Sequence, residues 1–146
     1  MKLSHYRHLS MLGLCLGFLF YAAELHAQSS DNAAHVHSVL GTADGKTIFE
    51  HICQGCHMPD AKGAVGAGSY PALAGSPRLA SPQYMAAVIL HGRRDMPSFI
   101  QTGEAGPLED AKLDDAQVAD VVNYVRTHFG NHYTDRITAQ EVAGMH

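Results

Sequence analysis

The stretch that most constrains what this chain of 146 residues can become is Cys53-Gln-Gly-Cys-His57, two thiols two residues apart with an imidazole directly behind the second. Three chemistries use such a pair: a disulfide redox couple, a zinc clip and a covalently attached porphyrin. Each makes a different demand on the rest of the chain.

Residues 1–27 read as an export signal. Lys2 and Arg7 form a positive start, and Met11 to Ala23 is an uncharged apolar run, short for a membrane span, with cleavage expected after Ala27. The alternative is an uncleaved membrane anchor. Cys15 lies inside the apolar run as filler and leaves with it, so Cys53 and Cys56 are the only cysteines of the expected mature chain. The expected compartment is the periplasm, where thiols are normally oxidised or otherwise occupied. The whole chain has 10 basic and 14 acidic residues; Lys2, Arg7 and Glu24 fall in the signal, which leaves 8 and 13, a formal charge of −5. That is no footprint for nucleic acid.

Residues 28–43 are small and polar without a sustained period, and read as a flexible arm. From Asp44, an N-cap residue, Ile48, Phe49 and Ile52 follow at helical spacing and lead straight into the cysteines. Residues 58–77 carry Gly63, Gly66, Gly68 and Gly75 with Pro59, Pro71 and Pro77, a composition that sustains neither helix nor strand. So long an ordered loop needs something to wrap around. Ser81, Pro82 and Gly92 bound a short helix with Tyr84, Met85, Val88 and Ile89 on an apolar face. A second loop leads to a helix capped by Asp114 and Gln117 and stopped by Gly130, with Leu113, Val118, Val121, Val122, Val125 and Phe129 as its buried stripe. The chain is therefore read as all-α with glycine-rich loops and no alternating strand. A domain of this size has little apolar surface to bury, and a large apolar ligand would act as a staple.

A thioredoxin-like couple places its two cysteines at the start of a helix beside a sheet; here they end a helix. Structural zinc wants four ligands, and no second pair stands at matched spacing. A covalent haem uses every residue of the motif: thiols at i and i+3 reach two vinyl groups on one porphyrin edge, and His57 lies under the iron as proximal ligand.

With "CQGCH", "YPALAGSP", "DMPSF" and "NYVR" in that order, residues 44–131 resemble a class I c-type cytochrome. The resemblance implies a cytochrome c fold, three to four short helices and glycine-rich loops wrapped around one haem c (heme c) bound through Cys53 and Cys56. Residues 132–146 would then form a C-terminal tail, frayed or laid across the domain or a partner through Ile137 and Val142.

The second axial ligand must come from a distant segment. Met58 is too close to His57, Met85 lies on an apolar helix face and Met145 in a polar tail, whereas Met96 stands in a loop stiffened by Pro97 and Phe99. The resemblance implies the same choice of Met96 for iron; His91, His128 and His132 are rivals, or polar residues near helix ends. It also implies that the carbonyl of Pro71 accepts the other ring proton of His57. Tyr70, Leu73, Tyr84, Val88 and Phe99 are candidate haem-pocket walls, or plain core. Arg93 and Arg94 are donors for the propionates or a solvated turn. Gly45, Phe49 and Tyr124 resemble the family's contact between first and last helices. Glu104, Glu109, Asp110, Asp114, Asp115 and Asp120 make an acidic surface that serves solubility or docks on a basic partner.

With both axial positions filled, no substrate reaches the iron, and the chain reads as a one-electron carrier rather than an enzyme. Sulfur ligation and burial favour ferrous iron and a positive potential. Resemblance to cytochromes that serve periplasmic dehydrogenases implies such an enzyme as donor and a terminal oxidase or other respiratory acceptor as partner, with the membrane reached only through partners or an uncleaved signal. The alternative is a haem enzyme or gas sensor whose methionine is absent from the iron or displaceable.

Overall fold

The computed structural model describes residues 40–66, 68–100 and 111–146, all within one compact unit, Val36–His146. The export segment, most of the 28–43 arm and the acidic residues Glu104, Glu109 and Asp110 lie outside the described residues. No helix among the described residues is long and apolar enough to cross a membrane.

The Asp44 carboxylate accepts the Thr47 N–H at 2.8 Å, and that donor holds its carboxyl below the ordinary aspartate range. The helical run beginning there has three parts: α1 (Gly45–Ile48), a π-helical turn (Phe49–Cys53) and α2 (Gln54–His57). It stops at Met58, which takes a left-handed φ of 65°. The glycine-rich segment after it does carry strands, contrary to the reading of its composition. β1 (Ala64–Val65) and β2 (Ser69–Tyr70) pair antiparallel, Ala64 opposite Tyr70 and Val65 opposite Ser69. Two residues a side is all the glycines allow, and the Gly66 N–H on the Gly68 carbonyl at 2.9 Å closes the turn.

A 3-10 turn (Pro77–Ala80) leads to α3 (Pro82–His91), where Ser81 accepts the Tyr84 N–H at 3.1 Å. α4 (Asp115–Thr127) begins with a full capping box, Asp114 and Gln117 each accepting the other's backbone N–H. It ends at Thr127, short of the stop expected at Gly130, because His128 is already extended and Phe129 is left-handed. α5 (Ala139–Ala143) is a last short helix inside the segment read as a tail.

α4 is the organising element: Val118, Val121, Val122 and Val125 are fully buried, and α1, α3 and α5 all pack against it. Its crossing with α1 is tight, for a Cβ on Gly45 would lie 2.2 Å from the Asp120 carbonyl oxygen. The Phe49 ring sits 6.1 Å from that of Tyr124 and 4.6 Å from that of Phe129. The segment after residue 131 lies across α4. Ile137 and Val142 are buried, each worth about 1.5–3 kcal/mol of apolar transfer, and Asn123 binds Ile137 in both directions, to its carbonyl at 2.8 Å and from its N–H at 3.0 Å.

Candidate haem-binding site

α2 presents the motif. Cys56 is exposed and Cys53 half-buried, and both are free thiols. Burial of its sulfur pushes the Cys53 thiol up to about 12, which argues against a redox thiolate. His57 is 8 % exposed, and its Nδ1 lies 2.9 Å from the Pro71 carbonyl oxygen. A carbonyl only accepts, so Nδ1 carries the proton, and the lone pair of the neutral ring is on Nε2. That is the tautomer of a metal-ligating imidazole with an outer-shell acceptor.

Backbone close approach brings Pro71 there. The Gly63 N–H bonds the His57 carbonyl at 3.0 Å, and Gly63 has φ of 68°. A Cβ on Gly63 would stand 2.1 Å from the Tyr70 carbonyl oxygen and 2.8 Å from the Pro71 carbonyl carbon. Below the hairpin, the Leu73 and Ala74 N–H groups both bond the Ala61 carbonyl, at 2.8 and 2.9 Å. Asn131, which no sequence pattern singles out, fastens the far end: its Nδ2 donates to the Leu73 carbonyl at 3.1 Å and its Oδ1 accepts the Ser76 N–H at 3.2 Å.

Met96 stands in a turn closed by two backbone bonds with Arg93, 2.9 and 3.1 Å, and Arg94 is left-handed within it. A Cβ on Gly92 would fall 2.7 Å from the Met96 carbonyl oxygen, so glycine is what lets the loop fold back on the end of α3. The Phe99 N–H then bonds the Ile89 carbonyl at 3.0 Å. Met96 is half-buried against the core together with Cys53, Leu73 and Phe99, whereas Met85 is buried inside it. Of the rival histidines, His91 Nε2 lies 3.2 Å from the Met145 carbonyl, His128 Nδ1 lies 2.7 Å from the Tyr124 carbonyl with its ring stacked on Tyr124 at 4.0 Å, and His132 is exposed.

α3 is apolar on two sides rather than one. Met85, Ala86, Ile89 and Leu90 enter the protein core, while Val88 is half-buried and Tyr84, four residues before it, is 42 % exposed. The single face expected for Tyr84, Met85, Val88 and Ile89 is therefore split. Tyr70, Leu73, Tyr84, Val88 and Phe99 are all apolar or aromatic surfaces that the core leaves partly uncovered. Arg93 and Arg94 are exposed. Two thiols at i and i+3, an imidazole with its lone pair on Nε2, a half-buried thioether and these uncovered apolar residues form a donor set that fits a covalently held haem.

Arg126 belongs to no apolar stripe or capping pattern of the sequence, yet it is fully buried. Its guanidinium donates to the Leu79 carbonyl at 2.8 Å, to the Ala80 carbonyl at 3.1 Å and to Asp135 Oδ1 at 2.8 Å, and it lies 5.0 Å over the Tyr133 ring. It sits at the last turn of α4 and ties the segment before α3 to the final segment. The only signal for it was the "NYVR" resemblance, which marks the residue without its partners.

A small helical domain carrying such donors is the kind that a c-type haem protein uses. Residues 42–129 match the family described as "Cytochrome c", and the chain belongs to that family. Among curated proteins, it is 35 % identical over 100 residues to the fructose dehydrogenase cytochrome subunit of Gluconobacter japonicus, a match covering 62 % of this chain and 19 % of that protein. It is 37 % identical over 104 residues to the cytochrome c subunit of the quinone alcohol dehydrogenase of Gluconacetobacter polyoxogenes, covering 69 % and 22 %. With the gluconate 2-dehydrogenase cytochrome c subunit of Pantoea cypripedii it shares 31 % over 107 residues, covering 69 % and 23 %. The chain thus matches about a fifth of the length of these relatives.

Proposed function

We propose that this protein is an exported, one-haem electron carrier that takes single electrons from a periplasmic dehydrogenase and passes them to a terminal oxidase or another respiratory acceptor. The observation that carries the reading is the His57 Nδ1 to Pro71 carbonyl contact at 2.9 Å, immediately behind a Cys-x-x-Cys pair. The relatives, all cytochrome subunits of dehydrogenases, support the donor; the periplasm rests on the expected signal, and the acceptor on the resemblance to cytochromes that serve periplasmic dehydrogenases.

When bound, the haem supplies a one-electron ferric–ferrous couple. Cys53 and Cys56 would hold it through thioethers. His57 would be its ligand through Nε2, while the Pro71 carbonyl keeps the proton on Nδ1, which fixes the ring and raises its basicity. Met96 would be the second ligand. Tyr70, Leu73, Tyr84, Val88 and Phe99 would exclude water, which favours the less charged ferrous state, and Arg93 would pair with a propionate. With His57 and Met96 both engaged, no open position would remain for a substrate.

Production of the full chain in a bacterium carrying the haem-attachment machinery tests this. A periplasmic product that stays haem-stained after denaturing electrophoresis, shows the long-wavelength sulfur–iron band when oxidised and is reduced by a periplasmic dehydrogenase such as a quinone alcohol dehydrogenase is the expected result. Absence of covalent haem overturns the reading. Rapid carbon monoxide binding without the sulfur band redirects it to a haem enzyme or gas sensor.

A further inference from the structure

An α-helix gives the N–H of residue 54 to the carbonyl of residue 50. Here the Gln54 N–H bonds the Phe49 carbonyl instead, one residue further back. The Glu50 carbonyl has therefore lost its usual donor, and the side-chain amide of Gln54 supplies one: Nε2–H donates to Glu50 O. One residue closes the wide turn twice, with its backbone on Phe49 and its side chain on Glu50.

The consequence is geometric. A wide turn holds about one residue more than an α turn, so the residues beyond it are set back by about 100° relative to an uninterrupted helix. Ahead of the turn, Gly45, Ile48 and Phe49 are locked onto the rest of the fold: Gly45 at backbone contact with Asp120, Ile48 fully buried, Phe49 between Tyr124 and Phe129. At its end and beyond come Cys53, Cys56 and His57. The rotation between the anchored half and the half that bears the thiols and the imidazole is decided in between. Glu50 is exposed, so water competes for its carbonyl whenever the amide lets go.

We propose that Gln54, the first residue between the two cysteines, is a positioning residue for the proximal ligand: by closing the π turn on both Phe49 and Glu50 it sets the rotational phase of His57 against α4. The proposal rests on reading Cys53–His57 as the haem-holding segment. It concerns orientation and not attachment, because the two thiols keep their i, i+3 spacing on either side of Gln54.

The test compares Gln54→Met, which keeps length and removes the donor, with Gln54→Lys, which restores an N–H donor of similar reach. Each is made as holoprotein beside the wild type. Two properties are read by NMR: amide exchange at position 54 and the hyperfine shifts of the haem methyls, which report the plane of the proximal imidazole. Gln54→Met is expected to lose about tenfold in amide protection, the worth of one hydrogen bond, and to show a redistributed methyl pattern. Gln54→Lys is expected to keep both. The proposal is overturned if Gln54→Met matches the wild type in both readouts, or if Gln54→Lys departs as far as Gln54→Met. Should Gln54→Met fail to attach haem, Gln54 acts on attachment and the proposal is overturned, whether or not Gln54→Lys matures. A wild type without covalent haem defeats the proposed function separately, and the exchange comparison on that same protein still decides whether Gln54 closes the turn.

Discussion

Asn131 holds the Leu73 carbonyl at 3.1 Å across 58 positions of sequence, so the residue just past α4 fixes the loop that delivers Pro71 to His57. Its amide also donates to the Val125 carbonyl at 2.9 Å and accepts the Ser76 N–H at 3.2 Å, and the residue is 3 % exposed. Asn131→Ala leaves the Leu73 and Val125 carbonyls and the Ser76 N–H with only long backbone bonds, Ser76 N–H to Leu73 at 3.3 Å and His128 N–H to Val125 at 3.4 Å. A loss of about 1–3 kcal/mol is expected in denaturant unfolding. An unchanged midpoint would show that water replaces the side chain and that it does not brace the loop.

Arg126 makes a second prediction because its guanidinium is buried while Asp135, its charged partner, is 62 % exposed. Arg126→Met leaves the Leu79 and Ala80 carbonyls without their donors and removes the tie to the final segment; a cost of about 3 kcal/mol is expected. Asp135→Asn is expected to cost much less, since water screens its side of the pair. Equal effects of the two changes would mean that the ion pair, and not the carbonyl contacts, gives Arg126 its role.

The same pair contributes to the pH dependence. The Arg126 hydrogen bond holds the Asp135 carboxyl below its ordinary value, as Thr138 does for Glu141 and Thr47 for Asp44. Depressed carboxyl pKa values stabilise the fold above the unfolded values, about 4, and that contribution disappears as pH falls through the lower folded ones. Urea midpoints should therefore fall as pH drops below about 4. The fall should be shallower in Asp135→Asn. Parallel curves for the two proteins would remove Asp135 from the acid response.

Two glycines separate backbone strain from collision. Gly63 and Gly75 both have positive φ, 68° and 58°, but a Cβ on Gly63 meets the Tyr70 carbonyl at 2.1 Å while one on Gly75 meets nothing within 4 Å. Gly75→Ala is expected to cost about 1 kcal/mol, the strain alone. Gly63→Ala adds displacement of the segment that carries Pro71, so a loss above about 3 kcal/mol and a poor yield of covalent haem are expected. The two variants behaving alike would contradict the close packing of residues 63 and 70.

Met85 and Met96 should dissociate stability from spectrum. Met85→Ala removes a core side chain at a cost of about 2–5 kcal/mol and leaves the sulfur–iron band in place. Met96→Ala abolishes the band and opens the iron to carbon monoxide with little loss of core packing, since Met96 is only half-buried. Loss of the band in Met85→Ala alone would transfer the ligand role to Met85.

Local chemistry was legible residue by residue. Caps are short-range interactions, so Asp44, Ser81, Asp114 and Gln117 could be recognised from their neighbours alone, and the structure places all four as caps. The Cys53–His57 motif is equally local, because its two thiols and its imidazole lie within about one helical turn. The apolar period of α4 likewise announced its buried face, although the stop came at His128 because Phe129 and Gly130 both turn left-handed. Strand content was misjudged in residues 58–77, where glycine argues against regular structure but a two-residue ladder needs only one closing hydrogen bond.

Composition and short-range pattern thus determined the class of fold and the haem-attachment motif, since helical period, capping and the spacing of two thiols are properties of neighbouring residues. Only the tertiary structure decided that α3 is apolar on two sides, that Gly63 and Gly92 are collision points, that Asn131 and Arg126 bind the loops to α4, and that the final segment covers the core. Those features depend on which backbone carbonyl ends beside which group once the chain has folded back on itself, across 58 positions for Asn131 and 47 for Arg126, and within tight loops for Gly63 and Gly92. No local rule carries that information, because it is set by how the helices pack.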